Sequence, residues 1–167
     1  RWTSPAPQLR FMQAVISSGM FTMGPRVAEF ERTFAGYTGS RYCVMVNSGS
    51  SANLLMVAAL RYRKTGAVIA GAEVIVPAVS WSTTYYPLYQ YGLRLKFVDI
   101  DRHTLNYDLD QLAAAVTDDT RAIMAVNLLG NPNDFARIRK IIGGRNIVLL
   151  EDNCESLGAT FEGKQAG

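Results

Sequence analysis

The sequence predicts an α/β fold, a three-layer α/β/α arrangement about a largely parallel sheet. Strand-like and helix-like segments alternate from Tyr42 to Glu151, which implies crossover connections between parallel strands. The runs Val74-Ile75-Val76 and Ile147-Val148-Leu149-Leu150 are continuously apolar, the pattern of strands buried on both faces. No internal repeat, low-complexity tract or linker interrupts the chain.

The elements follow in order. Leu9–Ser18 reads as a helix, with Leu9, Met12, Val15 and Ile16 at helical spacing and Gly19 after it. Pro25 opens a second helix, whose apolar positions are Val27, Phe30, Phe34 and Tyr37 and whose stop is Gly39. Tyr42–Val46 reads as a first short strand. Ser50 or Ser51 is expected to cap a helix running to about Arg63. Glu73–Pro77 is the second strand, followed by a Ser/Thr-rich turn and an aromatic helix ending at Gly92. Arg94–Ile100, Arg121–Asn127 and Ile147–Glu151 are the remaining strands. Helices over Asp108–Val116 and Asp134–Ile142 separate them, the latter closed by Gly143-Gly144.

Composition narrows the function classes. Of 167 residues, 49% are apolar and 19% charged, below the roughly 25% of an average globular chain, which argues against disorder. The net charge of +3 comes from scattered residues, and no basic stripe interleaves with aromatics, so nucleic acid is not an expected partner. No apolar run approaches the ~18 residues of a membrane span, and Arg1-Trp2-Thr3-Ser4-Pro5 does not begin a signal peptide. Cys43 and Cys154 form no CxxC spacing, and His103 stands alone in a polar turn, so neither a disulfide framework nor a metal site is expected. A reduced, cytoplasmic protein is the simplest reading. Both ends have the look of a cut chain, so a fragment of a longer protein, poorly soluble and inactive alone, is expected.

Ligands of open α/β sheets bind beyond the carboxyl ends of the strands. Four segments lie there. Asn47-Ser48-Gly49-Ser50-Ser51-Ala52 places a glycine and hydroxyls at a helix start, where free amides and the helix dipole favour an anion, although serines also cap helices with no ligand present. It is neither the nucleotide P-loop nor GxGxxG. Trp81 lies in the polar turn after Pro77 and offers a flat face for stacking, or packs on its neighbours. Asn127-Leu128-Leu129-Gly130-Asn131-Pro132 reads as a turn. Asp152 follows an apolar strand, so it is expected to be partly buried and to need a positive partner, such as a protonated pyridine nitrogen, or else to cap the next helix. Glu151 faces the other way and receives no role.

In this order and spacing, the four segments, with Val76-Pro77-Ala78-Val79-Ser80-Trp81-Ser82-Thr83 and Leu150-Glu151-Asp152-Asn153-Cys154-Glu155-Ser156-Leu157-Gly158-Ala159 written out, resemble the DegT/StrS-type sugar aminotransferases, fold-type-I enzymes. The resemblance runs from about Met20 to Gly167. It implies pyridoxal 5'-phosphate or pyridoxamine 5'-phosphate as cofactor. It places the phosphate on Gly49 and Ser50, the ring against Trp81, the ring nitrogen on Asp152 and Glu155 beside the cofactor. Residues 1–167 are then the N-terminal part of the cofactor-binding large domain, with the rest of that domain and a C-terminal small domain outside the chain.

Three positions depart from the commonest family pattern. Ser-Gly-Ser-Ser-Ala stands for Ser-Gly-Thr-Ala, Trp81 for Phe or Tyr, and Glu-Asp-Asn-Cys-Glu for Glu-Asp-Ala-Ala-Gln. They are similar to a dehydratase branch that removes the C3 hydroxyl of a nucleotide-linked 4-keto-6-deoxysugar, giving a 3-deoxysugar for lipopolysaccharide. The alternatives are an aminotransferase on the same kind of sugar and a non-catalytic protein on the same scaffold. The resemblance further implies an amino donor such as glutamate and a homodimer. The family's catalytic position, lysine in aminotransferases and histidine in the dehydratases, is expected beyond Gly167, so no catalytic base is assigned within the chain.

Overall fold

The computed structural model describes residues 6–167, so Arg1–Pro5, read above as unlike a signal peptide, lie outside the described residues. The chain divides into two compact units, one ending at Met45 and the other spanning Val46–Gly167.

The first unit is helical. Helix α1 covers Ala6–Ser18 and α2 covers Pro25–Thr38. Gly24 precedes Pro25 in an extended conformation, and Gly39 closes α2 with φ 72°, the left-handed conformation that glycine adopts without a Cβ clash. The predicted apolar positions are present, but Ala35 is the one buried residue of α2 and α1 has none. Phe30 stacks on Phe34 with ring centroids 5.5 Å apart. The predicted strand at Tyr42–Val46 does not form. Tyr42, Val44 and Met45 are exposed, and the Met45 amide donates to Glu31 Oε1 at 2.9 Å. A short apolar run becomes a strand only where a neighbour takes its amides and carbonyls, and no strand among the described residues pairs with this one.

The second unit is the α/β body. It contains α3 (Gly49–Tyr62), β1 (Glu73–Pro77), α4 (Ser82–Gln90), β2 (Arg94–Val98), α5 (Leu109–Ala115), β3 (Thr120–Val126), α6 (Phe135–Ile142) and β4 (Val148–Asp152). A two-stranded hairpin, β5 (Thr160–Phe161) and β6 (Lys164–Gln165), follows. The four main strands pair in the order β2-β1-β3-β4, all parallel. Period-two alternation sorts their side chains. Val74, Val76, Ala122 and Met124 pack with Val57 and Leu60 of α3 and Leu88 of α4, whereas Ile75, Ile123 and Ala125 pack with Leu112 of α5 and Phe135, Ile138 and Ile142 of α6. Helices therefore cover both faces, and the predicted three layers are present.

Boundaries differ from those expected by one to three residues. Asp108 and Asp134 sit just outside their helices and cap them, the first accepting the Asp110 and Gln111 amides and the second the Arg137 amide. The cap of α3 is Ser48 rather than Ser50 or Ser51. Its backbone is extended and its Oγ accepts the Ser51 amide at 3.2 Å, so the helix starts two or three residues earlier than hydroxyl counting suggested. Strand β4 runs through Asp152, one residue further than expected.

The sheet opens at one end. β1 pairs with β2 over five residues and β3 with β4 over five, but β1 and β3 pair only from Glu73 to Ile75. Successive strands are added to one side of β1 and then, from β3 on, to the other, so this seam is the topological switch point at which α/β folds bind ligands. Tyr107 bridges the separating strands, its hydroxyl contacting Met124 O at 2.7 Å and Ile75 O at 3.3 Å. Burial pushes the Tyr107 phenol well above its ordinary pKa, so it stays neutral and keeps its proton to donate. Tyr107→Phe keeps the shape and removes the one hydroxyl proton that the two carbonyls share, chiefly from Met124 O at 2.7 Å. It is expected to lower unfolding free energy by about 1–3 kcal/mol in urea denaturation of the intact protein.

Candidate functional site

The predicted site residues lie in the second unit, at the start of α3, just before α4, at the end of β4 and in the turn after it. At the start of α3, the first-turn amides of Gly49 and Ser50 have no intrahelical acceptor. No atom lies within 4 Å of where a Cβ would stand on Gly49, so the cradle has room in front of it. No acidic residue occupies the first turn of α3 to compete with an anion. Ser48 Oγ, besides capping, lies 3.2 Å from Ser51 Oγ.

Trp81 is the residue preceding α4, and its carbonyl accepts the Thr84 amide at 3.0 Å. The residue is 75% exposed, so its indole is open to a flat ligand.

Asp152 ends β4 with only 7% of its surface exposed. Its Oδ2 accepts Asn53 Nδ2 at 2.9 Å and Thr84 Oγ1 at 3.2 Å, and its Oδ1 accepts the Cys154 amide at 3.1 Å. A carboxylate oxygen accommodates about two donors, so Oδ2 is saturated and Oδ1 retains one acceptor position. Asp152 caps no helix, since a short hairpin follows rather than a helix.

Glu155 is exposed and applies Oε2 to the Leu129 amide at 2.6 Å. That bond holds the Leu128–Gly130 turn, where Leu129 adopts φ 53°, a strained conformation for a residue with a Cβ. The structure thus joins Asp152 to α3 and to the Trp81 turn, and joins Glu155 to the turn after β3.

Three contributors were not read from the sequence. Asn53 and Thr84 hold Asp152, and Ser80 Oγ lies 2.8 Å from Thr84 Oγ1 behind them. Asn53 was detectable, because it occupies a core position of α3 in line with Val57 and Leu60, where an amide needs buried partners. Asn127, read as part of a turn, is fully buried and saturated. Its Nδ2 donates to Glu151 Oε1 and Asn153 Oδ1, both at 2.7 Å, while its Oδ1 accepts from Asn133 N at 2.9 Å and Asn133 Nδ2 at 3.0 Å. Its amide also donates to Asp152 O at 3.2 Å, so this side chain pins the ends of β3 and β4 together. Glu151, given no role from the sequence, is part of that fastening.

With an anion cradle, an exposed aromatic face and a buried carboxylate with one acceptor position left, this end of the sheet can hold a flat, cationic heteroaromatic ring bearing a phosphate. Residues 6–167 match the profile of the DegT/DnrJ/EryC1/StrS aminotransferase family. The chain belongs to that family. Among its relatives is the GDP-4-keto-6-deoxy-D-mannose 3-dehydratase of Escherichia coli O55:H7, 63% identical over 160 residues, which cover 96% of this chain and 41% of the relative. A crystal structure of GDP-4-keto-6-deoxymannose-3-dehydratase with a trapped PLP-glutamate geminal diamine superposes with a TM-score of 0.93 at 64% identity, covering 95% of this chain and 41% of that one. A variant of that enzyme with bound GDP-perosamine superposes with a TM-score of 0.96 at 61% identity, covering 100% and 43%. The chain therefore spans about two fifths of the length of the relatives it matches. No helix among the described residues is long and apolar enough to cross a membrane.

Cys154 reports on this site. Burial, then the charge and hydrogen bond of Asp152, then the charge of Glu155, push its thiol up to about 11. A thiol at that value is only about 0.1% thiolate at pH 8. Alkylation of Cys154 by iodoacetamide, followed by peptide mass spectrometry, is expected to keep accelerating up to about pH 11. Asp152→Asn, which removes one cause of the upward shift, is expected to speed labelling at pH 8.

Proposed function

We propose that this chain is the cofactor-binding portion of a pyridoxal phosphate- or pyridoxamine phosphate-dependent enzyme that removes the C3 hydroxyl of GDP-4-keto-6-deoxymannose. The observation that carries the proposal is the buried Asp152, held among Asn53, Thr84 and the Cys154 amide, within a chain 63% identical to a dehydratase of that substrate. Gly49 and Ser50 hold the cofactor phosphate with their first-turn amides, and the dipole of α3 favours its charge. Trp81 covers one face of the ring and excludes water from it. Asp152 accepts a hydrogen bond from the protonated ring nitrogen and keeps that nitrogen charged. Glu155, with one oxygen committed to Leu129, borders the cofactor with the other.

When bound, pyridoxamine phosphate would supply an amine for the C4 ketone and the electron pair with which the C3 hydroxyl leaves as water; the nitrogen would be released as ammonia, leaving the cofactor as its aldehyde, and glutamate would restore the amine and become its 2-oxo acid. Histidine rather than lysine is the family position expected further along the polypeptide. The proposal places the enzyme in the cytoplasm as a homodimer that makes a 3-deoxysugar for lipopolysaccharide. An aminotransferase on the same substrate is the second reading, favoured by the family to which the chain belongs.

The intact enzyme, incubated with pyridoxal phosphate, glutamate and GDP-4-keto-6-deoxymannose, is expected to release a sugar lacking the C3 oxygen, identified by mass spectrometry and NMR. A product that keeps the C3 hydroxyl and carries an amine at C4 would establish the second reading instead. Asp152→Asn is expected to lower turnover by about two orders of magnitude, the scale of losing one preorganised electrostatic contact.

A further inference from the structure

We infer that Asn53 is a positioning residue that aligns the acid, the stacking turn and the phosphate cradle for one rigid cofactor, with Thr84 as its partner on Asp152. The inference rests on the reading of Asp152 as the acid that meets the ring nitrogen.

Asn53 lies one helical turn after Gly49, on the buried side of α3. Its Nδ2 carries two protons, and both have acceptors. One goes to Asp152 Oδ2 at 2.9 Å and the other to the carbonyl of Thr83 at 3.3 Å. The second acceptor exists because of a proline. In a regular helix the Thr83 carbonyl would receive the amide of the residue four positions on, which is Pro87, inside α4. Proline has no amide hydrogen, so this carbonyl is left over, and the Asn53 side chain fills the gap.

One amide group thus clamps the first turn of α4, directly after Trp81, to the carboxylate at the end of β4, from a helix whose own start is the phosphate cradle. Thr84 reinforces the clamp. Its amide holds the Trp81 carbonyl, and its hydroxyl, 2.8 Å from that of Ser80, shares Oδ2 with Asn53.

The two donors act on the same oxygen. They fix the plane of the carboxylate and leave Oδ1, which neither of them occupies, as the oxygen with an acceptor position to spare. A pyridoxal ring and its phosphate arm are a nearly rigid unit. Binding is therefore tight only if cradle, ring face and acid are held at matching separations before the ligand arrives. Asn53 and Thr84 touch neither ring nor phosphate in this account. Their effect on the cofactor passes through Asp152 and the Trp81 turn.

The test is a mutant cycle on the intact apoenzyme, read as the dissociation constant of pyridoxal phosphate by equilibrium dialysis, with the melting temperature of each apoenzyme alongside. Asn53→Leu and Thr84→Val are each expected to weaken cofactor binding by about tenfold or more, the scale of a hydrogen bond to a charged group. Thr84→Ser, which keeps the hydroxyl, is expected to bind like the unsubstituted enzyme. In an Asp152→Asn background, adding Asn53→Leu is expected to weaken binding by a clearly smaller factor than in the unsubstituted enzyme, because the carboxylate, one of the two routes of its effect, is gone.

Equal weakening by Asn53→Leu with and without Asp152 would make Asn53 a packing residue and overturn the inference. So would a constant within about twofold of the original for Asn53→Leu and Thr84→Val alike. If Asn53→Leu does not yield folded protein, the Thr84 pair decides, and equal constants for its Val and Ser variants overturn the inference. Asp152→Asn alone leaving the constant unchanged would remove the reading of Asp152 and the inference with it, whereas weakening by Asp152→Asn but not by the Asn53 and Thr84 variants removes the inference alone.

Discussion

A carboxylate with 7% of its surface exposed, at the end of a strand lined with apolar residues, is tolerable only if hydrogen-bond donors surround it. Asp152 has three, and they come from three places: a side chain of α3, a side chain in the first turn of α4 and the backbone just after β4. The rest of the site depends on this interaction. Because the donors belong to different elements, satisfying one charge also fixes how those elements approach one another. Through Asn53 and Thr84 the hydrogen bonds that solvate it tie α3 and the first turn of α4, next to Trp81, to the end of β4.

The sheet supplies the place. β1 and β3 cease to pair after Ile75, while the outer pairs β1–β2 and β3–β4 continue to their ends. Of the carbonyls along that separation, those of Ile75 and Met124 meet the Tyr107 hydroxyl from the side of α5 and α6, and that of Val126 meets Asn133 Nδ2. On the far side of the seam, Asn127 uses every donor and acceptor of its side chain to hold the ends of β3 and β4 level. A ligand site built on these strand ends inherits their rigidity, and the parts left exposed, Trp81 and Glu155, are on turns.

Different kinds of residue were legible to different degrees. Strands buried on both faces announce themselves as continuous apolar runs, so β1 and β4 were found within a residue of their limits. Helix ends with an Asp cap or a Gly stop were equally plain. Tyr42–Val46 has the same apolar signature and is not a strand, because pairing is a property of two segments and composition reports on one. The run Ser48-Gly49-Ser50-Ser51 offered several caps, and local sequence does not choose among adjacent hydroxyls. The backbone does, by making Ser48 extended and the next residues helical. Asn53 and Asn127 were hidden among apolar and turn signals, since an amide gives no periodic signature and its meaning lies in its partners.

The order of segments and the residue types at the strand ends were determined by the sequence itself: an α/β chain, a glycine and hydroxyls where an anion can sit, an aromatic after β1 and an acid after β4. These are local facts, set by propensity, periodicity and the chemistry of single side chains. Tertiary structure alone decided which oxygen of Asp152 is committed, that the Thr83 carbonyl freed by Pro87 is met by Asn53, and that Glu155 holds the Leu129 turn. Asn53 and Asp152 are 99 residues apart along the chain. A hydrogen bond needs its two atoms about 3 Å from each other, and only the folded backbone brings together groups so far apart in sequence.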